Sequence, residues 1–265
     1  MRIRAPSPTP ARFERPSAAA LALWIGAAAF LIASLQGIGF SASGLVSGAP
    51  HIGRMLGEMF PPSLERAGPV GKALVETFQM ALVGTVAGVL LSLPLAVLAT
   101  RHLSPNVLVY QAARSLIALF RTVPDLVWAL FFVVAVGLGP FAGTLAITVD
   151  IIGFCGRFFA EAMEEADRGP QEALHALGAG RGAVIAAAVI PAAMPSLINT
   201  SLFSLEKATR SSVVLGLVGA GGIGIELQVS MDLFRYAEAS AIIMAIFALV
   251  VVVEQCSAWL RRRLI

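Results

Sequence analysis

Six stretches of this chain are apolar over lengths near or above that of a membrane-crossing helix, and that feature decides most of what it can fold into. A helix rising 1.5 Å per residue crosses a hydrocarbon layer of about 30 Å in roughly 20 residues. Inside that layer every backbone N–H and C=O needs an internal partner, which leaves helices or closed barrels. The stretches are continuous rather than alternating, so they read as helices. The expected spans are 18–39, 70–100, 107–138, 142–163, 185–217 and 239–260. Composition agrees, with 57% hydrophobic and 13% charged residues, about half the charge of an ordinary soluble domain. The chain is expected to be all-α and polytopic, with about six transmembrane helices.

The connections are short, and two of them are informative. Residues 1–17 form a basic tail with Arg2, Arg4, Arg12 and Arg15, and the first span, lacking a small-residue cleavage site, reads as a retained anchor. Residues 40–69 read as an extracytoplasmic loop or an interfacial helix, with "HIGRMLGEMF" as its amphipathic part. At "RTVPD" the third apolar region meets Pro124, which removes a backbone donor and disfavours helix at Val123. A kinked or broken helix is expected there. The core runs over 70–260 and ends in a short basic tail, 261–265.

Seventeen of the nineteen basic residues are arginines. With the N-terminus inside, the short stretches 101–106 and 164–183 and the triplet Arg261–Arg263 are inside too, as the positive-inside rule requires. Both termini are expected on the cytoplasmic side. No basic stretch carries interleaved aromatics, so nucleic acid is not an expected partner. Cys155 and Cys256 lie in apolar stretches and read as packed core thiols. The three histidines, His51, His102 and His175, have no metal-ligand spacing.

The most polar stretch contains "DRGPQEALHALGAG" (167–180). Gly169-Pro170 starts a short helix there, Ala173 and Ala176 give it a small-residue side, and Gly178 stops it. Small residues let a partner's backbone come close. The helix lies between two spans, so a push on it reaches both. With Glu172, Ala173 and Gly178, and Pro191 beyond, the stretch resembles the EAA loop of ABC-importer permeases; Leu174 departs from the usual second alanine. Two further stretches, "RTVPDLVWALFFVVAVGLGPFAGTLA" and "RSSVVLGLVGAGGIGIEL", are similar to permeases of phosphonate or phosphite importers. The resemblance covers roughly residues 70–260.

That resemblance implies a type I ABC importer permease fold in the plasma (inner) membrane of a bacterium, embedded in the lipid bilayer. It implies a homodimer with a second copy of the permease, two ATPase subunits and an extracytoplasmic solute-binding protein. Glu172, Ala173, Ala176, Gly178 and Pro191 would carry the coupling to the ATPase. The chain itself is expected to bind no cofactor and to be no enzyme, since "GPVGK" lacks the spacing and the hydroxyl of a P-loop. ATP and Mg would belong to the partner ATPase. The cargo would be a phosphonate-type anion, with phosphite or phosphate as alternatives. An ion-driven secondary transporter is a further alternative, but it would need no docking loop. A membrane enzyme would need a reactive constellation such as HExxH or G-x-S-x-G, and neither occurs.

Charges within spans are costly unless paired or facing water. Arg157 and Glu161 stand one turn apart, with Asp150 on roughly the same face, and Glu206 and Arg210 repeat the spacing. Asp150, Arg157, Glu161 and Glu206 therefore read as intramembrane ion-pair members. Glu254 reads as a partner of Arg261–Arg263. Arg121, Lys207 and Arg210, with the break at Pro124, are the candidates for lining an anion's path, between two copies of the 107–138 and 185–217 helices.

Gly219, Gly221 and Gly224 satisfy G-x-G-x-x-G, yet a dinucleotide site needs a strand before the motif and a sheet around it, and the preceding segment is a span. Gly219, Gly221, Gly222 and Gly224 read instead as a turn or gate at the outer end of the path.

Overall fold

A computed structural model describes residues 17–39 and 41–264, and every regular element among them is helical. Of the basic tail expected over 1–17, residues 1–16 lie outside the described residues. The chain divides into two compact units, one ending at Met55 and one beginning at Leu56.

The first unit holds α1 (Ala18–Gly37) and most of α2 (Ala42–Glu58). Ser17 starts α1, its hydroxyl accepting from the Ala20 N–H at 3.2 Å.

The second unit holds α3 (Ala67–Ala99), α4 (Val107–Thr122), α5 (Asp125–Val136), α6 (Pro140–Glu165), α7 (Gly169–Ala176), α8 (Arg181–Val184), α9 (Ile190–Gly216), α10 (Ile223–Asp232) and α11 (Tyr236–Leu264). A single π-helical turn, Ile185–Val189, joins α8 to α9, so that 36 residues run as one rod. The Ile190 N–H reaches back to the Ile185 carbonyl. Pro191 follows at once; it has no N–H to donate, and its ring crowds the preceding turn, which widens there. With α1, four elements of the second unit are long and apolar enough to span: α3, α6, the α8–α9 rod and α11. The pair α4 and α5 makes the sixth span only if taken together, and it is bent by 90°. Val123, held extended before Pro124, makes that bend.

The core is the seam between α3 and α6. Gly84, Gly88, Ser92 and Ala96 recur every fourth residue of α3 and are all buried. A Cβ added to Gly84 would stand 2.7 Å from Ile147, and one on Gly88 would stand 2.5 Å from Ile151. In lipid, apolar surface gains little by leaving its solvent, so such small-residue ladders and their close packing carry the association. Outward faces stay apolar, as at Val83, Val86 and Leu90. The same fact corrects one expectation: Cys155 is buried, but Cys256 is exposed on α11. In a membrane chain an apolar position need not be an interior one.

Candidate functional site

The end of the bundle that carries α7 is tied together by polar contacts. Glu164, at the last turn of α6, accepts from the Arg101 N–H at 3.0 Å and from Arg114 at 2.8 Å. Arg181, at the start of α8, donates to the Ser104 carbonyl at 2.7 Å. These contacts tie the 100–106 turn to α6 and α8, and α4 to α6. Between the 100–106 turn, α7 and α8 lies a cleft of about 190 Å³ lined by His102, Arg168, Gln171, Glu172, His175 and Arg181. Burial and the neighbouring Arg168 guanidinium push the His102 pKa below its ordinary range.

Within that end, α7 is held by its ends and offers its face. Asp167 accepts from the Gly169 N–H at 3.0 Å, and the buried Gln171 donates back to the Asp167 carbonyl at 3.0 Å. At the other end Gly178 takes φ +81°, which lets the Ala179 N–H reach the Leu174 carbonyl at 3.0 Å. Glu172, Ala173, Ala176 and Gly178 are all exposed. So is Leu177, at 84%, a large apolar side chain that spacing alone did not single out. Pro191 is exposed too, 13 residues beyond Gly178 on α9.

The opposite end is built around the glycine turn. Gly219, Gly221 and Gly222 all take positive φ, and residues 220–224 are buried. The Gly139 N–H donates to the Gly219 carbonyl at 3.0 Å. The first N–H groups of α10 are taken by α3: that of Gly222 by Glu76 at 2.7 Å and that of Ile223 by Thr77 at 2.7 Å. An acid at a helix start suits the helix dipole. The segment is therefore a pinned turn joining α3, α6, α9 and α10. Nearby, Arg66 pairs with Glu226 at 2.8 Å and lies 3.9 Å from Glu238.

Between the two ends, the charged residues find partners that spacing did not indicate. Arg157 and Glu161 pair at 2.7 Å, one turn apart. Asp150, however, does not join them. Its carboxylate accepts two hydrogen bonds from Lys207, at 2.9 and 2.8 Å, joining α6 to α9 beside the Phe154 ring. Glu206 is bonded by Arg261 at 2.9 Å rather than by Arg210. Arg210 pairs instead with Glu254, at 2.8 Å, so Glu254 is not the partner of the C-terminal arginines. For Asp150 and Glu206, whose side chains are 15% and 13% exposed, a cross-helix partner answers a largely buried carboxylate, whereas an i, i+4 pair on an open face gains only a few tenths of a kcal/mol. Of Arg121, Lys207 and Arg210, only Arg121 has no carboxylate partner among the described residues. It closes α4 just before the break at Pro124.

The Asp150–Lys207 pair yields a stability test. The Asp150 side chain is 15% exposed, and Lys207→Met would leave its charge uncompensated. The variant is expected to lose on the order of 3 kcal/mol, and Asp150→Asn added to it should recover most of that. Thermal unfolding of the purified protein in detergent reads both; equal melting of the single and double variants would contradict the pairing.

Comparison with known proteins places this geometry. Residues 88–265 match the family described as "Binding-protein-dependent transport system inner membrane component". The phosphate-import permease protein PhnE of Mycolicibacterium smegmatis is 40% identical over 217 residues, 82% of this chain and 41% of that protein. This chain thus spans less than half of that relative's length. The phosphite transport system permease protein PtxC of Stutzerimonas stutzeri is 38% identical over 221 residues, 83% of this chain and 80% of its own. Among solved structures, the inward-facing MetNI methionine ABC transporter superposes with a TM-score of 0.64 at 25% identity, over 75% of this chain and 99% of that one.

Proposed function

This chain belongs to the family of binding-protein-dependent transport system inner membrane components, and from that premise we propose that it is the membrane-spanning permease of an ATP-driven importer of phosphonate-type anions. The observation that carries the reading is α7: a short, capped helix between two spans, with Glu172, Ala173, Ala176, Leu177 and Gly178 exposed together. A separate ATPase docks on that face, binds ATP and Mg, and moves α6 and the α8–α9 rod through it. Arg101, Arg168 and Arg181 gather at the same end, which supports a cytoplasmic placement for it and for both termini.

The path runs between two copies of the permease, along α4–α5 and α9, with Arg121 and the Pro124 break on one side and Lys207 and Arg210 on the other. The glycine turn closes its outer end, where a solute-binding protein delivers the cargo. The names of the relatives, one for phosphate and one for phosphite, support a phosphoryl oxyanion as cargo.

Uptake tests the reading. A strain without its own phosphonate importers, given this chain with its ATPase and solute-binding partners, is expected to accumulate labelled methylphosphonate. An inactive ATPase should abolish the accumulation. Uptake by the purified chain alone, driven by an ion gradient, would instead make it a secondary transporter.

A further inference from the structure

We infer that the hollow between α4 and α6, lined by Arg114, Arg121 and Arg157, is a binding site for a phosphoryl anion; the choice of phosphoryl over carboxylate rests on the reading above. The hollow exists because α4 runs directly onto α6 where α6 has no side chains. A Cβ on Gly153 would stand 2.9 Å from the Arg121 backbone nitrogen, and one on Gly156 would stand 3.1 Å from Ile117. This contact sets Arg121, on the last turn of α4, across from Arg157, the residue after Gly156. Ala99, Ile117, Ala118 and Ala160 complete the lining. The cavity measures about 60 Å³. That is room for roughly four water-sized oxygens, the size of a tetrahedral oxyanion.

Its electrostatics are one-sided. Arg114 is spoken for in part: its Nε donates to the Ala99 carbonyl at 3.0 Å and one Nη to Glu164 at 2.8 Å. Arg157 uses only its Nε, on Glu161 at 2.7 Å. Arg121 has neither a carboxylate partner nor a side-chain hydrogen bond among the described residues. Three guanidiniums thus face two carboxylates, and all three arginines line the cavity, with the N–H groups of Arg121 and the two Nη of Arg157 unused among the described residues. Planar guanidinium forks match a phosphoryl group's oxygens two at a time, and a guanidinium without a counterion, as at the exposed Arg121, has its whole fork free for such a partner.

Two sources carry this chemistry: the imported anion as it leaves the path, or the headgroup of an anionic phospholipid. The test has an arm for each. Lipid-stripped permease in maltoside detergent is titrated with methylphosphonate by calorimetry, and retention of added phosphatidylglycerol is read by native mass spectrometry. Wild type is expected to bind one of the two saturably. Arg121→Gln and Arg157→Gln should each weaken that binding at least about tenfold, and Arg121→Lys should do so less. An effect in the first arm assigns the site to the transported anion, and one in the second assigns it to lipid. Wild type binding neither probe, or both variants binding as wild type does, overturns the site. Unchanged melting of the variants shows that they are folded. Uptake by the complete importer separates the two readings: methylphosphonate uptake with a failed site leaves the function standing, while its absence in wild type removes the function but not a measured anion site.

Discussion

Ala173→Trp is expected to abolish ATP-driven uptake while leaving the permease folded in the membrane. Ala173 is exposed on α7, so the added indole meets no neighbour within the chain, and exposed substitutions of this kind cost about 0.5 kcal/mol or less. The cost falls on the docked complex. A helix that presents alanine methyls can bring its backbone against a partner, and an indole holds the two surfaces apart over the whole patch. Affinity for the ATPase should fall about 100-fold or more, equivalent to about 2.7 kcal/mol. Glu172→Lys, which reverses the charge at the first turn, should act in the same direction. Leu177→Asp adds a sharper test, because a side chain left 84% exposed is the kind of apolar anchor around which such interfaces concentrate their energy. Co-purification of the ATPase with tagged permease reads all three. Undiminished capture with Ala173→Trp would move the docking surface elsewhere.

How much of this was legible in the sequence follows from what each signal measures. Length and apolarity specify spans, and the helices over 18–37, 67–99, 140–165, 181–216 and 236–264 lie close to the stretches read from hydropathy. The α4–α5 break was legible because proline acts locally on Val123. Its 90° angle was not, since that is set by where α5 packs on α6. The π-helical turn before Pro191 was missed for a similar reason: proline signals a lost hydrogen bond, but not how the helix absorbs the loss. Ion pairing was the least legible. Sequence offers only partners on the same helix, and so coupled Glu206 with Arg210. In the fold Glu206 meets Arg261, 55 residues away. Hydropathy likewise reads inward and lipid-facing positions as equals, which is why Cys256 was placed inside. The α7 stretch was legible because caps, small residues and polarity coincide in one short segment. The arginine hollow was not, because Arg114, Arg121 and Arg157 come together only through glycines on the facing helix.

Gly224→Val is expected to unfold the end of the bundle opposite α7, and it separates two explanations of the glycine-rich stretch. If the glycines served only to keep a loop supple, a side chain at Gly224 would find open space. In the fold, a Cβ there would run into the Val213 carbonyl oxygen and lie 2.9 Å from the Gly216 Cα. Both are backbone atoms of α9, so no rotamer change relieves the clash. The start of α10 would have to lift off α9, and with it would go the bonds from Gly222 to Glu76 and from Ile223 to Thr77. A loss of about 3 kcal/mol is the expected scale, with uptake failing because the tie between α3 and α10 is gone. Gly182→Ala is the control, since nothing stands within 4 Å of a Cβ at that position. Gly178→Ala is intermediate: it too meets no neighbour, but its φ of +81° costs an alanine roughly 1 kcal/mol. Melting temperatures in detergent should therefore fall in the order Gly182→Ala, Gly178→Ala, Gly224→Val, the first least affected. A Gly224→Val protein that melts with wild type would mean that α10 detaches from α9 without cost, and the pinned turn would have to be redrawn as a mobile gate.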